Sequence, residues 1–301
     1  MSNPRADYSS IVSRPPLYLP NGAKVAFWFI LNVEEWDFNA KMARAVLPTP
    51  QGATVVPDVP NYSWHDYGMR VGFWRIKEVL DKYGIKATIS LNGSVCNSYP
   101  EIVQAMVDSD WEIMGHGFIQ KALPLEDDEA GVIGKTIDTI RDFSGTAPRG
   151  WMGPGLAETV ETPDLLVEAG IEYVCDWVND DQPYVLKTKT GRLVSMPYTL
   201  EMNDIPMYVV QNHRSPEMYE RGKDQFDTLY REGAESARVM AIATHPYISG
   251  VPHRIKYLDM ILDYITSHDD VVIWTGGQIL DWYNESARQD RPDTEKANIC
   301  P

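Results

Sequence analysis

Lys-Val-Ala-Phe-Trp-Phe-Ile-Leu-Asn-Val-Glu-Glu-Trp, residues 24–36, is a nearly unbroken apolar run that stops at two adjacent carboxylates. A strand with one wet face alternates apolar and polar residues. A strand apolar throughout is covered on both faces, the habit of parallel sheets flanked by helices. Lys24 to Val33 therefore reads as a central strand, with Glu34 and Glu35 at its carboxyl end. Upstream, residues 1–23 are rich in Pro, Ser and Asn and lack any period, so they read as an arm outside the domain. Downstream, residues 36–66 carry several prolines and no clear period. A structureless stretch of that length is uncommon without a role, and we read it as a functional loop.

Beyond the loop the pattern repeats. Val71, Trp74, Ile76, Val79 and Leu80 recur at helical spacing between Tyr67 and Tyr83, and Gly84 follows as a cap. Strands are expected at 86–91, 111–114, 149–152, 172–176, 238–244 and 271–274. Helices are expected from near Pro100 and over 125–143, 162–169, 216–237, 252–267 and 277–284. This alternation means βαβ units and a parallel sheet. About seven units without a linker point to an α/β fold, a distorted (β/α)7-type barrel. Residues 184–210, with RLVSMPY and IPMYVV, read as a β-hairpin insertion. The expected organisation is an arm (1–23), one catalytic domain (24–286) and a polar tail (287–301).

The bulk numbers exclude several classes. With 43 acidic against 27 basic residues the net charge is −16, which repels nucleic acid and anionic membranes. The three cysteines, Cys96, Cys175 and Cys300, have no spacing of a disulfide framework or a CxxC site. No apolar run is long enough to span a bilayer, and the first twenty residues lack the apolar core of a signal peptide. A cytoplasmic protein with a small-molecule substrate is the expectation. The apolar arm segment Pro15 to Pro20 suggests a homodimer or homotetramer.

Polar residues that end barrel strands gather at one face, where barrel enzymes keep their sites. Here those residues are Glu34 and Glu35, His116, Arg149 with Trp151, Asp176 with Trp177, and His245. Carboxylates and imidazoles so placed suit hydrolysis by general acid–base catalysis. Trp36, Tyr62, Trp64, Trp151, Trp177 and Tyr247 would give aromatic walls for a small planar substrate.

These residues resemble the polysaccharide deacetylase superfamily. Its acid pair corresponds to Glu34-Glu35 and its His motif to GHGFIQ (115–120). Its Arg motif corresponds to PRGWMGPG (148–155), its Asp-Trp pair to Asp176-Trp177 and its late His to THPY (244–247). NVEEW (32–36), HDYGMRVGFWR (65–75), PYTLEMND (197–204) and HPYISGVPHR (245–254) are similar to one branch, the purine-utilisation allantoinases and cyclic imide hydrolases. The resemblance covers roughly residues 20–285. It implies Glu34 as base, His245 as acid and Arg149 as the group orienting the base. It also implies Glu35 and His116 as remnants of a metal site, Asp176 as a further catalytic residue, and Trp36, His65, Tyr67, Trp151, Trp177 and Tyr247 against the substrate.

The chain departs from the family at one position. Gln120 stands where the metal-dependent deacetylases have a second His, and an amide is a poor transition-metal ligand. Only two good ligands remain where catalytic zinc has three. The expectation is no bound cofactor, with zinc or another divalent ion on Glu35 and His116, and His65 as a candidate third ligand, as the alternative. The function expected is hydrolysis of a C–N bond in a small cyclic amide: a ureide such as allantoin, an imide or a lactam. N-deacetylation of an amino-sugar polymer and a catalytically inactive binding protein are the alternatives.

Overall fold

The computed structural model describes residues 3–289. Nine strands form one sheet: β1 (Val25–Val33), β2 (Thr88–Leu91), β3 (Glu112–Gly115), β4 (Gly150–Trp151), β5 (Tyr173–Val174), β6 (Tyr184–Leu186), β7 (Leu193–Ser195), β8 (Arg238–Thr244) and β9 (Val271–Ile273). The order is β6-β7-β5-β4-β3-β2-β1-β8, with β9 also on β1. Every pairing is parallel except the β6–β7 hairpin. This is the expected α/β fold, curled as a distorted barrel. Strand pairing does not close it: β6 and β8 end the sheet, and Val239 N–H reaches the Asp181 carbonyl at 3.0 Å across that gap.

β1 is the axis of the fold. One edge pairs with β8 from Val25 to Leu31, while the other carries β9 at Val25–Phe27 and β2 at Ile30–Val33. All nine residues are buried. Phe27, Phe29, Leu31 and Val33 pack under helices that include Phe73–Tyr83 and Ile255–Thr266. Ala26, Trp28 and Ile30 face the barrel interior with Met114, Met152, Tyr173, Cys175, Val239, Ala241 and Ala243. Burying both faces is what the unbroken apolar run requires.

Parity along each strand then sets which polar residue enters the mouth, because alternate side chains point to opposite faces. Residues 26, 28 and 30 point inward, and so does Glu34. Met114 points inward, and so does His116. Val239, Ala241 and Ala243 point inward, and so does His245.

Three expectations are corrected. The loop after β1 is irregular only to Asp58, because Val59–Tyr67 is a helix capped by the Asp58 side chain on Asn61 N–H. IPMYVV is a wide helical turn, Ile205–Val210, and not a strand. There the Asn203 side chain accepts from Ile205 N–H at 2.9 Å, and Pro206 suits the first turn of a helix. Those local features override the β-branched pair Val209-Val210. The last helix runs Gly276–Gln289 and so includes the start of the supposed tail, whose residues 290–301 lie outside the described residues. Among the described residues, no helix is long and apolar enough to cross a membrane.

Candidate active site

Glu34 is the hub of a buried polar cluster at the carboxyl ends of β1, β3 and β8. Its Oε1 lies 3.3 Å from His116 Nε2 and 3.4 Å from His245 Nε2, and it accepts from Gln120 Nε2 at 2.7 Å. Its Oε2 receives the Tyr247 hydroxyl at 3.4 Å. Both imidazoles are held from behind. His116 Nδ1 is 2.6 Å from the Met152 carbonyl, which can only accept, so Nδ1 is the donor. His245 Nδ1 is 2.6 Å from Asp204 Oδ1, while Asp204 Oδ2 accepts from His245 N–H at 2.8 Å and from Ser249 Oγ at 2.6 Å.

The electrostatics follow from this contact list. Burial alone would disfavour the Glu34 carboxylate, but the charge of His245 and the bonds to both imidazoles hold it well below the usual carboxylate range. Burial alone would push His245 down. The charges of Glu34 and Asp204 outweigh that and raise it to about 10. His245 therefore keeps its proton at neutral pH, between two carboxylates.

Asn92, just past β2, ties the floor together. Its Oδ1 accepts from Glu35 N–H at 2.9 Å, and its Nδ2 donates to the His116 carbonyl and to Gln120 Oε1. Gln120 N–H donates to the Glu35 carbonyl at 2.8 Å. Sequence reasoning missed Asp204 and Asn92. Asp204 sits in the quoted PYTLEMND segment; an acid histidine needs an anionic acceptor on its far nitrogen, and that requirement was the usable signal.

Above the hub is a narrow cleft lined by Glu34, Glu35, Trp36, Tyr62, His65 and Met69 among others, with room for about one water molecule. Trp36 packs on His65 at a tilt of 49° with centroids 3.9 Å apart, and Tyr247 packs on His65 at 4.4 Å. His65 donates through Nδ1 to the Asn61 carbonyl at 2.7 Å. Burial lowers its pKa to about 4, against that bond, so Nε2 is a bare acceptor. His65 Nε2, Trp36 Nε1 and Glu35 Oε2 are buried without hydrogen-bond partners.

Glu35 lines the cleft but has the opposite parity to Glu34, so it is Glu34, not Glu35, that meets His116. Other expected site residues lie elsewhere. Arg149 precedes β4 and so sits at the far end of the barrel, paired with Glu172 at 2.6 Å and Asp281 at 2.8 Å. It does not reach Glu34. Trp151 is wholly buried against Gly115, where an added Cβ would stand 2.6 Å from its ring, so it is core. Tyr67 does not line the cleft; its hydroxyl accepts from Arg75 at 3.0 Å. Asp176 and Trp177 lie outside the hub, beside Glu158.

The hub does not fit a catalytic metal. Among the described residues, no group of three or more His, Cys, Asp or Glu is arranged to hold an ion. Gln120 points its N–H at Glu34 Oε1, the oxygen a cation would need.

A family model described as polysaccharide deacetylase matches residues 61–174. A Schizosaccharomyces pombe protein provisionally named a polysaccharide deacetylase is 31% identical over 291 residues, covering 86% of this chain and 90% of that protein. The chain belongs to the polysaccharide deacetylase family. Within this family, the Helicobacter pylori peptidoglycan deacetylase is 24% identical over 70% of this chain and 83% of its own. The crystal structure of PuuE allantoinase superposes with a TM-score of 0.82 at 28% identity, covering 93% of this chain and 98% of that one. The likeness thus reaches both a peptidoglycan deacetylase and an allantoinase.

Proposed function

We propose that the chain hydrolyses a C–N bond of a small cyclic amide by general acid–base catalysis, with His245 as acid and Glu34 as base. The observation that carries this reading is the geometry of the acid–base pair: His245 Nε2 is 3.4 Å from Glu34 Oε1 and is backed by Asp204 on its far nitrogen. Glu34 lines the narrow cleft with Trp36, Tyr62 and His65, and a small flat ring would enter as these side chains move apart. The groups left unpartnered there, two acceptors and one indole donor, match a ring that offers N–H groups and a carbonyl. The similarity to PuuE allantoinase supports the same reading.

Glu34 and His245 stand 3.4 Å apart, closer than the gap expected for a water and a scissile bond between them. The resting pair is therefore an ion pair that substrate must interrupt. Nitrogen leaves poorly unless protonated, and His245 holds a proton to give. Substrate that separates the pair weakens the hold of His245 on Glu34, so the proton affinity of the carboxylate rises, as removing a proton from water requires. The water oxygen adds to the carbonyl carbon as Glu34 takes its proton, and the C–N bond breaks as the nitrogen takes the proton of His245. Asp204 would stabilise the imidazole while it is charged.

A turnover screen tests the reading. Allantoin, hydantoin, succinimide, glutarimide, dihydrouracil and chito-oligosaccharides are each offered with and without chelator. Chelator-resistant turnover of a ring compound is expected; turnover of the oligosaccharides alone would replace this reading with N-deacetylation. With the substrate so found, Glu34→Gln and His245→Ala should each lower kcat by roughly 10²- to 10⁴-fold.

A further inference from the structure

His116 is held by a peptide group that is itself held. Its Nδ1–H donates to the Met152 carbonyl at 2.6 Å. The N–H of that same peptide unit, on Gly153, donates to Asp176 at 2.8 Å (Oδ1) and 3.1 Å (Oδ2). One planar amide thus connects an imidazole to a carboxylate. Hydrogen bonds in such a chain strengthen one another, because an acceptor bound at the N–H end polarises the amide and makes its carbonyl a better acceptor. The arrangement needs a glycine: a Cβ at 153 would stand 3.0 Å from Asp176 Oδ2 and 2.8 Å from the Ala157 carbonyl. Parity explains why Asp176 works at this distance. Tyr173 and Cys175 face the barrel interior, so Asp176 faces the other way, with Trp151 and Val174, and cannot enter the hub directly. Behind Asp176 stands Glu158, which has one buried oxygen without a partner. Burial raises both carboxyls, Glu158 to about 7, and the charge of Glu158 raises Asp176 further, so the pair keeps one proton between them.

We propose that Asp176, backed by Glu158, is a positioning residue that acts through the Met152–Gly153 peptide to fix the tautomer and orientation of His116 against Glu34. The proposal rests on the reading of the Glu34 cluster as the catalytic centre. Asp176 touches no reacting group. Its work is to keep the Met152 carbonyl aimed at Nδ1, so that Nε2 faces Glu34. Asp176→Asn retains an oxygen that can accept from Gly153 N–H, whereas Asp176→Ala removes it.

The test reads His116 directly by ¹⁵N NMR of the imidazole in the full-length protein, assigned by loss of its signals in His116→Gln. The wild type should show a single Nδ1–H form with a strongly hydrogen-bonded Nδ1. In Asp176→Ala those signals should move or split between tautomers, and in Asp176→Asn they should return most of the way. On any substrate from the screen, Asp176→Ala should lower kcat by roughly 10- to 100-fold, the usual cost of losing an outer partner of an active-site histidine. KM should stay within about threefold, and Asp176→Asn should recover most of the rate. Unchanged His116 signals in a folded Asp176→Ala protein would overturn the proposal. If no substrate is turned over, the catalytic reading fails on its own, and the NMR comparison still decides whether the peptide connects Asp176 to His116.

Discussion

Asp204 meets His245 twice, at the imidazole and at the backbone, and no part of its side chain is exposed. Its negative charge is one of two that hold a proton on His245. With that group raised to about 10, kcat/KM of the free enzyme should stay level through neutral pH and fall only as the pH rises toward 10. Asp204→Asn should bring that alkaline limb down by at least one pH unit and lower kcat; an unmoved limb would show that another group carries the proton. The same shifts govern stability. A raised His stabilises the fold fully below its unfolded pKa and loses that contribution as the pH rises through about 10. Glu34, depressed, stabilises above its unfolded pKa and loses the contribution as the pH falls. Urea unfolding of the wild type should therefore show a broad maximum between roughly pH 5 and 9, narrowed at the alkaline side in Asp204→Asn. Glu34, His116, His245 and Tyr247 were legible in the sequence because each follows an apolar strand at the same end. Glu35 and Arg149 were misplaced by position-for-position transfer, although strand parity and strand direction were both readable. For Asp204 the sequence offers only the requirement that an acid histidine have an anionic partner; which acid fills it, 41 residues away, is fixed only in three dimensions.

The element that seats His245 is the turn after β8, the short helix Pro246–Ser249, and its own seat is made of glycines. The helical segment Val59–Tyr67 continues through a wide turn, Gly68–Gly72, into Phe73–Tyr83, and the wide turn lies flat on the Pro246–Tyr247 backbone. An added Cβ at Gly68 would stand 2.7 Å from Tyr247 N, and one at Gly72 would collide with the Pro246 carbonyl. Gly72→Ala should therefore push the 246–249 turn away from β1. We expect a loss of roughly 1–3 kcal/mol in stability, the range for overpacked contacts, measured by thermal or urea unfolding. The fall in kcat should exceed the effect on KM, since His245 moves with the turn. A variant of wild-type activity would mean that the turn does not position the acid. At this scale the sequence was most informative where one signal acts alone. The apolar run of β1 and the glycine stop at Gly84 were readable. The Ile205–Val210 helix was not, because a side-chain cap and a proline compete there with β-branched residues.

At the scale of the whole molecule, the arm is anchored to its own domain yet leaves apolar groups outside. Arg5 pairs with Asp164 at 2.7 Å, and the Leu17 and Tyr18 carbonyls accept from Ala237 and Trp282. Tyr8, Val12 and Tyr18 nonetheless remain 94%, 89% and 69% exposed. We expect these residues to meet a second copy, giving a homodimer or homotetramer. Light scattering that finds a 34 kDa particle at micromolar concentration would refute this, and Tyr8→Ser with Val12→Ser should weaken association where it occurs. The placement of β1 has a different consequence. It is hydrogen-bonded along both edges, with β8 on one side and β9 and β2 end to end on the other, so several strands must separate before its amides are released. Native-state hydrogen exchange should find its protection factors, from Phe27 to Leu31, at the global limit, while the irregular 37–58 segment exchanges through small local openings. Glu34, the proposed base, is thus mounted at the end of what should be the slowest-exchanging strand, while the irregular 37–58 segment joins it to the Val59–Tyr67 helix that carries Tyr62 and His65 of the cleft. Small openings of that connection could let the helix side of the cleft shift many times over while Glu34 keeps its place.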